Sequence, residues 1–178
     1  MTALVAVLAG GRGRRMGGAK PVAELGGGPL IARPVRAATA AGLAVVVVAK
    51  AATPLPPLDV PVWQEPDEPT HPLLGIVTAL ERAEWPVVAV GCDMPFVTAD
   101  LLARLAAGPE AAVSAGGQLA PFPARYEPAA LPALREALAR EASVRATLAA
   151  LGPDTFEVEE RLVASVNTPE ELAAAHDA

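Results

Sequence analysis

Short, nearly unbroken apolar runs alternate along the chain with longer stretches whose apolar positions recur every three or four residues. Residues 2–8, 45–48 and 87–90 are such runs, rich in valine. Apolar runs of this length suit strands buried on both faces of a parallel sheet. Residues 60–64, 111–115, 155–158 and 162–166 carry weaker strand patterns. Helical spacing marks residues 29–41, where Leu30, Ile31, Pro34, Val35, Ala38 and Ala41 share a face. Pro29 sits in the first turn there and Gly42 follows as a stop. Helices are also predicted over residues 73–83, 99–107, 131–140 and 144–151, and from Pro169 onward. Thr98 is the expected cap of the 99–107 helix, which Gly108-Pro109 ends. Thr168, with Pro169 next and Glu171 three residues on, is the expected cap of the last helix. Residues 53–72 are proline-rich and irregular apart from the short strand. Strands alternating with helices predict a three-layer α/β fold with a mainly parallel sheet. With no repeat or linker, residues 1–178 read as one domain.

Composition narrows the chemistry. At 178 residues and 52% hydrophobic, the chain can build a real core and is not disordered. No apolar run approaches the roughly 20 residues of a membrane span. No basic leader precedes the first apolar run, so the expectation is a soluble, cytoplasmic protein without a signal peptide. The single Cys92 excludes an internal disulfide and argues against a zinc cluster. A net charge of −6 argues against non-specific nucleic-acid binding. The charge is unevenly placed, however. Arg12, Arg14, Arg15 and Lys20 crowd the first twenty residues, and the first acidic residue is Glu24. An acidic protein with one basic, glycine-rich corner suits a small anion; a solvated arginine loop is the plainer alternative.

Ligands of open α/β sheets sit at the carboxyl ends of the strands, where three unusual loops are predicted. The first contains Leu8-Ala9-Gly10-Gly11 and runs through Arg15-Met16-Gly17 to Lys20. Its glycines let backbone N–H groups approach phosphate, and its cations add charge. It is not a P-loop, because Lys20 precedes Pro21, and Met16 breaks a dinucleotide fingerprint. Lys20 is one of only two lysines in the chain. The second loop is Cys92-Asp93-Met94-Pro95. A carboxylate at the end of a buried strand wants a cation, and Mg²⁺ bound with substrate phosphates would supply one; a simple loop or cap aspartate is the alternative. Cys92 reads as a small buried residue, because neither His71 nor His176 has a recognisable partner motif. The third loop, Ser165-Val166-Asn167-Thr168-Pro169-Glu170-Glu171-Leu172, is explained equally by a strand end and a capped helix. Residues 64–75, with Glu65, Asp67 and Glu68 among prolines, are either a solvated loop or acceptors for a base edge.

Taken together and in order, these loops and Pro72-Leu73-Leu74-Gly75 resemble the molybdenum cofactor guanylyltransferase family over nearly the whole chain. The resemblance implies a Rossmann-like nucleotidyltransferase domain that transfers GMP from GTP to the terminal phosphate of molybdopterin, or of its molybdenum-loaded form, releasing pyrophosphate. The Leu-Ala-Gly-Gly form of the first loop favours guanine; related cytidylyltransferases carry Leu-Ala-Ala-Gly. By the same resemblance, Leu8, Ala9, Gly10 and Gly11 hold the nucleotide while Arg15 and Lys20 contact phosphates. Asp93 holds Mg²⁺ and meets the nucleotide, Glu65 takes an acidic guanine-side contact, and Asn167 faces the acceptor or metal. Arg15, Lys20 and Asp93 form the expected catalytic set. The implied partners are the two substrates and, transiently, cofactor-delivering or recipient molybdoenzymes, with no nucleic acid and no membrane. The chain departs from the family pattern at Ala19, Val48 and Ser165, where an acidic residue, an asparagine and another asparagine are usual. Cytidylyl or sugar-phosphate transfer and a non-catalytic nucleotide-binding module are the competing readings.

Overall fold

A computed structural model describes residues 3–11 and 20–176. In chain order these form β1 (Leu4–Leu8), α1 (Ala32–Ala40), β2 (Val45–Ala49), β3 (Val62–Gln64), α2 (Pro72–Ala83), β4 (Val87–Gly91) and α3 (Ala99–Ala107). There follow β5 (Ala112–Ala115), β6 (Gln118–Tyr126), α4 (Leu131–Ala139), α5 (Val144–Leu151), β7 (Thr155–Val158) and α6 (Pro169–His176). The strands make one seven-stranded sheet in the order β3-β2-β1-β4-β6-β5-β7. Every pairing is parallel except those of β6, which runs antiparallel to β4 and to β5.

The valine runs explain the three layers. Successive strand residues face opposite sides of a sheet. Val5, Val7, Val45, Val47, Val88 and Val90 therefore pack with Ala38 of α1 and Leu101, Leu102 and Leu105 of α3. Leu4, Ala6, Val46, Val48, Val87 and Ala89 pack on the other side with Ile76 and Leu80 of α2, Leu134 of α4 and Leu148 of α5. The register Val5↔Val45 and Val5↔Val88 keeps like-facing valines side by side. A third, smaller cluster joins Leu25 and Leu30 to Val166, with Leu172 and Ala175 of α6 against it. Among the described residues, no helix is long and apolar enough to cross a membrane.

Three expectations need correction. The first helix starts at Ala32, because Pro29 is spent in a bridge with Glu24 and the turn after it. Residues 162–166 are not a strand; Glu160–Val163 forms a 3₁₀ turn. A strand would send Leu162 and Val163 to opposite faces, whereas the turn lets both pack against the first core. The nine-residue β6 was not expected at all, because Pro121 and Pro123 argue against a central strand. Both prolines fall where no ladder N–H is needed. β5 pairs Ala112 with Ala124 and Ser114 with Leu119, so the intervening stretch of β6 bulges out of register.

Tyr126 ends β6 fully buried, and its hydroxyl has no hydrogen-bond partner among the described residues. Burial alone pushes its phenol well above the usual range. Tyr126→Phe should therefore leave stability unchanged or raise it by about 1 kcal/mol in a denaturant melt. A clear loss would mean that the hydroxyl has a partner.

Candidate active site

β1 and β4 lie side by side and parallel, so the loops after them leave the sheet at the same edge. The Cys92 N–H donates to the Leu8 carbonyl at 3.0 Å, and the Val166 N–H donates to the Asp93 carbonyl at 2.8 Å. Three distant segments are thereby stitched into one surface. The start of α6 then fixes Asn167. Thr168 Oγ1 accepts from the Glu171 N–H at 3.2 Å, and Glu171 Oε2 accepts from the Asn167 N–H at 2.6 Å. Lys20 closes the arrangement: its Nζ donates to Asp93 Oδ2 at 2.5 Å and to Asn167 Oδ1 at 2.8 Å. Gly91 permits this placement, because a Cβ there would overlap Asp93 Oδ1.

A second carboxylate stands elsewhere in the same cavity. Glu65 follows β3, and its N–H donates to the Ala49 carbonyl at 2.9 Å. The residue is only 4% exposed. Its carboxylate lies against two glycines: a Cβ on Gly10 would overlap Oε1, and one on Gly75 would stand 3.0 Å from Oε2. Burial pushes the Glu65 carboxyl above its ordinary range, and the Lys50 ammonium 3.5 Å from Oε1 pulls it back. Lys50 also donates to the carbonyls of Pro66 at 2.6 Å and Asp67 at 2.7 Å. The chain's two lysines are thus each matched to one site carboxylate.

Between these pairs lies a cavity of about 220 Å³, lined by Leu8, Ala9, Gly10, Gly11, Lys20, Glu65 and Asp93 among others. Seven of the expected site residues therefore come together around it, and Asn167 joins them through Lys20. Arg15, with Arg12, Arg14 and Ala19, lies outside the described residues. Ser165 reaches the cavity wall. Val48 does not belong here: it is fully buried in the core on the α2 side, and the residue that leaves β2 toward Glu65 is Lys50. Sequence reasoning passed over Lys50, whose only signal was being the second of two lysines. It also passed over His71, which lines the cavity and caps α2 by accepting the Leu73 N–H at Nδ1, 3.2 Å away. Cys92 is inert, as expected. Burial, reinforced by Asp93, pushes its thiol up to about 12, so it stays protonated near neutrality.

Glycine-rich backbone, an ammonium shared between two oxygen acceptors, and a buried carboxylate can together bind a phosphorylated ligand with a hydrogen-bond-donating head. Residues 5–155 match the family model of the MobA-like NTP transferase domain. The chain belongs to that family. A molybdenum cofactor guanylyltransferase from Rhodobacter capsulatus is 34% identical to this MobA-like NTP transferase over 96% of this chain and 93% of the relative. Another, from Methylibium petroleiphilum, is 41% identical over 59% of this chain. That match spans only about half the relative's length, 54%. Among solved structures, the molybdopterin-guanine dinucleotide biosynthesis protein A of Archaeoglobus fulgidus superposes with a TM-score of 0.75, covering 98% of this chain and 97% of its own. At 22% identity that likeness establishes the shared fold. The α/β architecture and the family expected from the motifs are the ones found.

Proposed function

We propose that this MobA-like NTP transferase transfers GMP from GTP to the terminal phosphate of molybdopterin, or of its molybdenum-loaded form, and releases pyrophosphate. The observation that carries this choice of substrates is the identity to the Rhodobacter guanylyltransferase, which extends over 96% of the chain. The site chemistry supports it. A phosphate monoester is largely dianionic at pH 7, so the acceptor needs no catalytic base. Its oxygen attacks the α-phosphorus as the bond to pyrophosphate breaks. The protein's task is to align two anions and to neutralise charge at the attacked phosphate. An ammonium has three N–H donors, and Lys20 commits two of them to Asp93 and Asn167 among the described residues. That grip aims the charge from the nucleotide loop toward the acceptor side.

Mg²⁺ fits the same corner. Asp93 and Asn167 present hard oxygen donors that already converge on one cationic centre, the Lys20 ammonium. No cluster of three or more metal-ligating side chains occurs among the described residues. Mg²⁺ needs none, because one or two carboxylates with substrate phosphates usually hold it. Bound there, it would act as a Lewis acid on the phosphate oxygens. The guanylated product would pass by transient contact to a recipient molybdoenzyme.

The test is calorimetric titration with GTP, CTP, ATP and UTP plus Mg²⁺, followed by pyrophosphate release with molybdopterin present. Selective GTP binding and acceptor-dependent release are expected, and Asp93→Asn should weaken the magnesium dependence. A CTP preference would move the chain to a sister transfer. An unaltered magnesium titration in Asp93→Asn would remove the metal from Asp93.

A further inference from the structure

Lys50 is the ionic partner of the one carboxylate buried in the cavity wall. We propose that Lys50 is a positioning residue for base selection, holding Glu65 so that its carboxylate accepts the N1–H and the 2-amino group of guanine. This rests on the guanylyl-transfer reading above and on the guanine-side contact of Glu65 that goes with it, and adds the residue that holds that contact in place.

The geometry comes first. Lys50 Nζ ties down the carbonyls of Pro66 and Asp67, the two residues after Glu65, and faces Glu65 Oε1. The Glu65 backbone is anchored to Ala49, the residue before Lys50. Gly10 and Gly75 leave room for the carboxylate and box it on two sides. Glu65 therefore has one position, and Lys50 sets it from the end of β2.

Protonation comes second. A buried carboxylate is costly without a cation, and a protonated carboxyl offers a donor where the ionised group offers only acceptors. Guanine presents two adjacent donors, N1–H and the 2-amino group. Adenine and cytosine each place an amino group beside an acceptor, and uracil sets a single N–H between carbonyls. Two carboxylate oxygens match guanine alone among these. Lys50 keeps Glu65 in the form that makes the match. No other cation among the described groups pairs with Glu65. The Gly10 and Gly75 faces carry no titratable group, His71 lines the cavity at the start of α2, and Lys20 is held by Asp93 in the same cavity. Asp67 and Glu68, next along the Glu65 segment, bring only further negative charge.

The test compares GTP with inosine triphosphate, which lacks only the 2-amino group, by calorimetry from about pH 4, where a carboxyl held above its ordinary range is protonated, to about pH 8.5. Wild-type protein should prefer GTP by about tenfold or more. That preference should fade as acidification protonates Glu65, whose carboxyl already titrates above the ordinary range. In Lys50→Met the pull of the ammonium is gone, so the preference should fade at higher pH and shrink toward unity. Lys50→Arg keeps the charge and should retain most of it. If Lys50→Met does not fold, the proposal stands or falls on the wild-type pH profile and on Lys50→Arg. A pH-independent wild-type preference, or Lys50→Met keeping the wild-type ratio at every pH, overturns the role of Lys50 while leaving guanylyl transfer intact. A wild-type protein that selects CTP overturns both.

Discussion

Lys20→Ala should lower kcat by about two to three orders of magnitude while KM for GTP changes by less than about tenfold. Negative charge at the attacked phosphate is redistributed most in the transition state, and a contact that strengthens there acts on kcat more than on binding. Lys20 is also the one described side-chain link between Asp93, which follows β4, and Asn167, which precedes α6. Its loss removes the charge and the alignment together. Lys20→Arg should recover little, because the larger, planar guanidinium does not fit the seat of a compact ammonium between these two acceptors. Steady-state kinetics with saturating acceptor decide the matter. A variant with wild-type kcat would take Lys20 out of the chemistry.

The second large effect is steric. In Gly10→Ala the new methyl group would overlap Glu65 Oε1, and the other carboxylate oxygen already faces Gly75. Either the loop after β1 lifts or Glu65 leaves its seat. The expected cost is about 1–3 kcal/mol of stability, typical of overpacking. GTP affinity should fall by about a hundredfold, since the backbone contact and the base acceptor are displaced at once. Glu65→Ala added to Gly10→Ala should restore the melting temperature without restoring GTP affinity. That separation distinguishes a displaced binding group from a merely damaged fold. Gly10→Ala with wild-type affinity would show that Glu65 has room to move.

How much of this was legible in the residues depended on how many constraints each position carries. β1, β2 and β4 are buried on both faces, so their valine runs stand out without any knowledge of neighbours. The caps at Thr98 and Thr168 are local chemistry and sit where the pattern puts them. β6 was hidden because its two prolines are tolerated only through a mismatch with β5, a relation between segments that no window of sequence displays. Asp93 and Lys20 were visible through their motifs. Glu65 was one acidic residue among three in a proline-rich stretch, and resemblance alone singled it out. Its seat depends on the absence of side chains at Gly10 and Gly75, which are 55 and 10 residues away in sequence. Lys50 had no motif, and its contacts with Glu65, Pro66 and Asp67 appear only once β2 and the segment after β3 are side by side.

The bridge made by Lys20 also says when this protein can begin to work. Its two contacts close loops of 73 and 147 residues along the chain. Local contacts form quickly, whereas contacts this distant wait for the elements between them to be made and docked. On a ribosome delivering roughly 5–20 residues per second, Asn167, 147 residues on, follows Lys20 by about 7–30 s. A nascent chain that has passed Asp93 but not reached Asn167 holds the Lys20–Asp93 pair without the amide oxygen that shares the ammonium. The arrangement is therefore reached only when segments 147 residues apart have met.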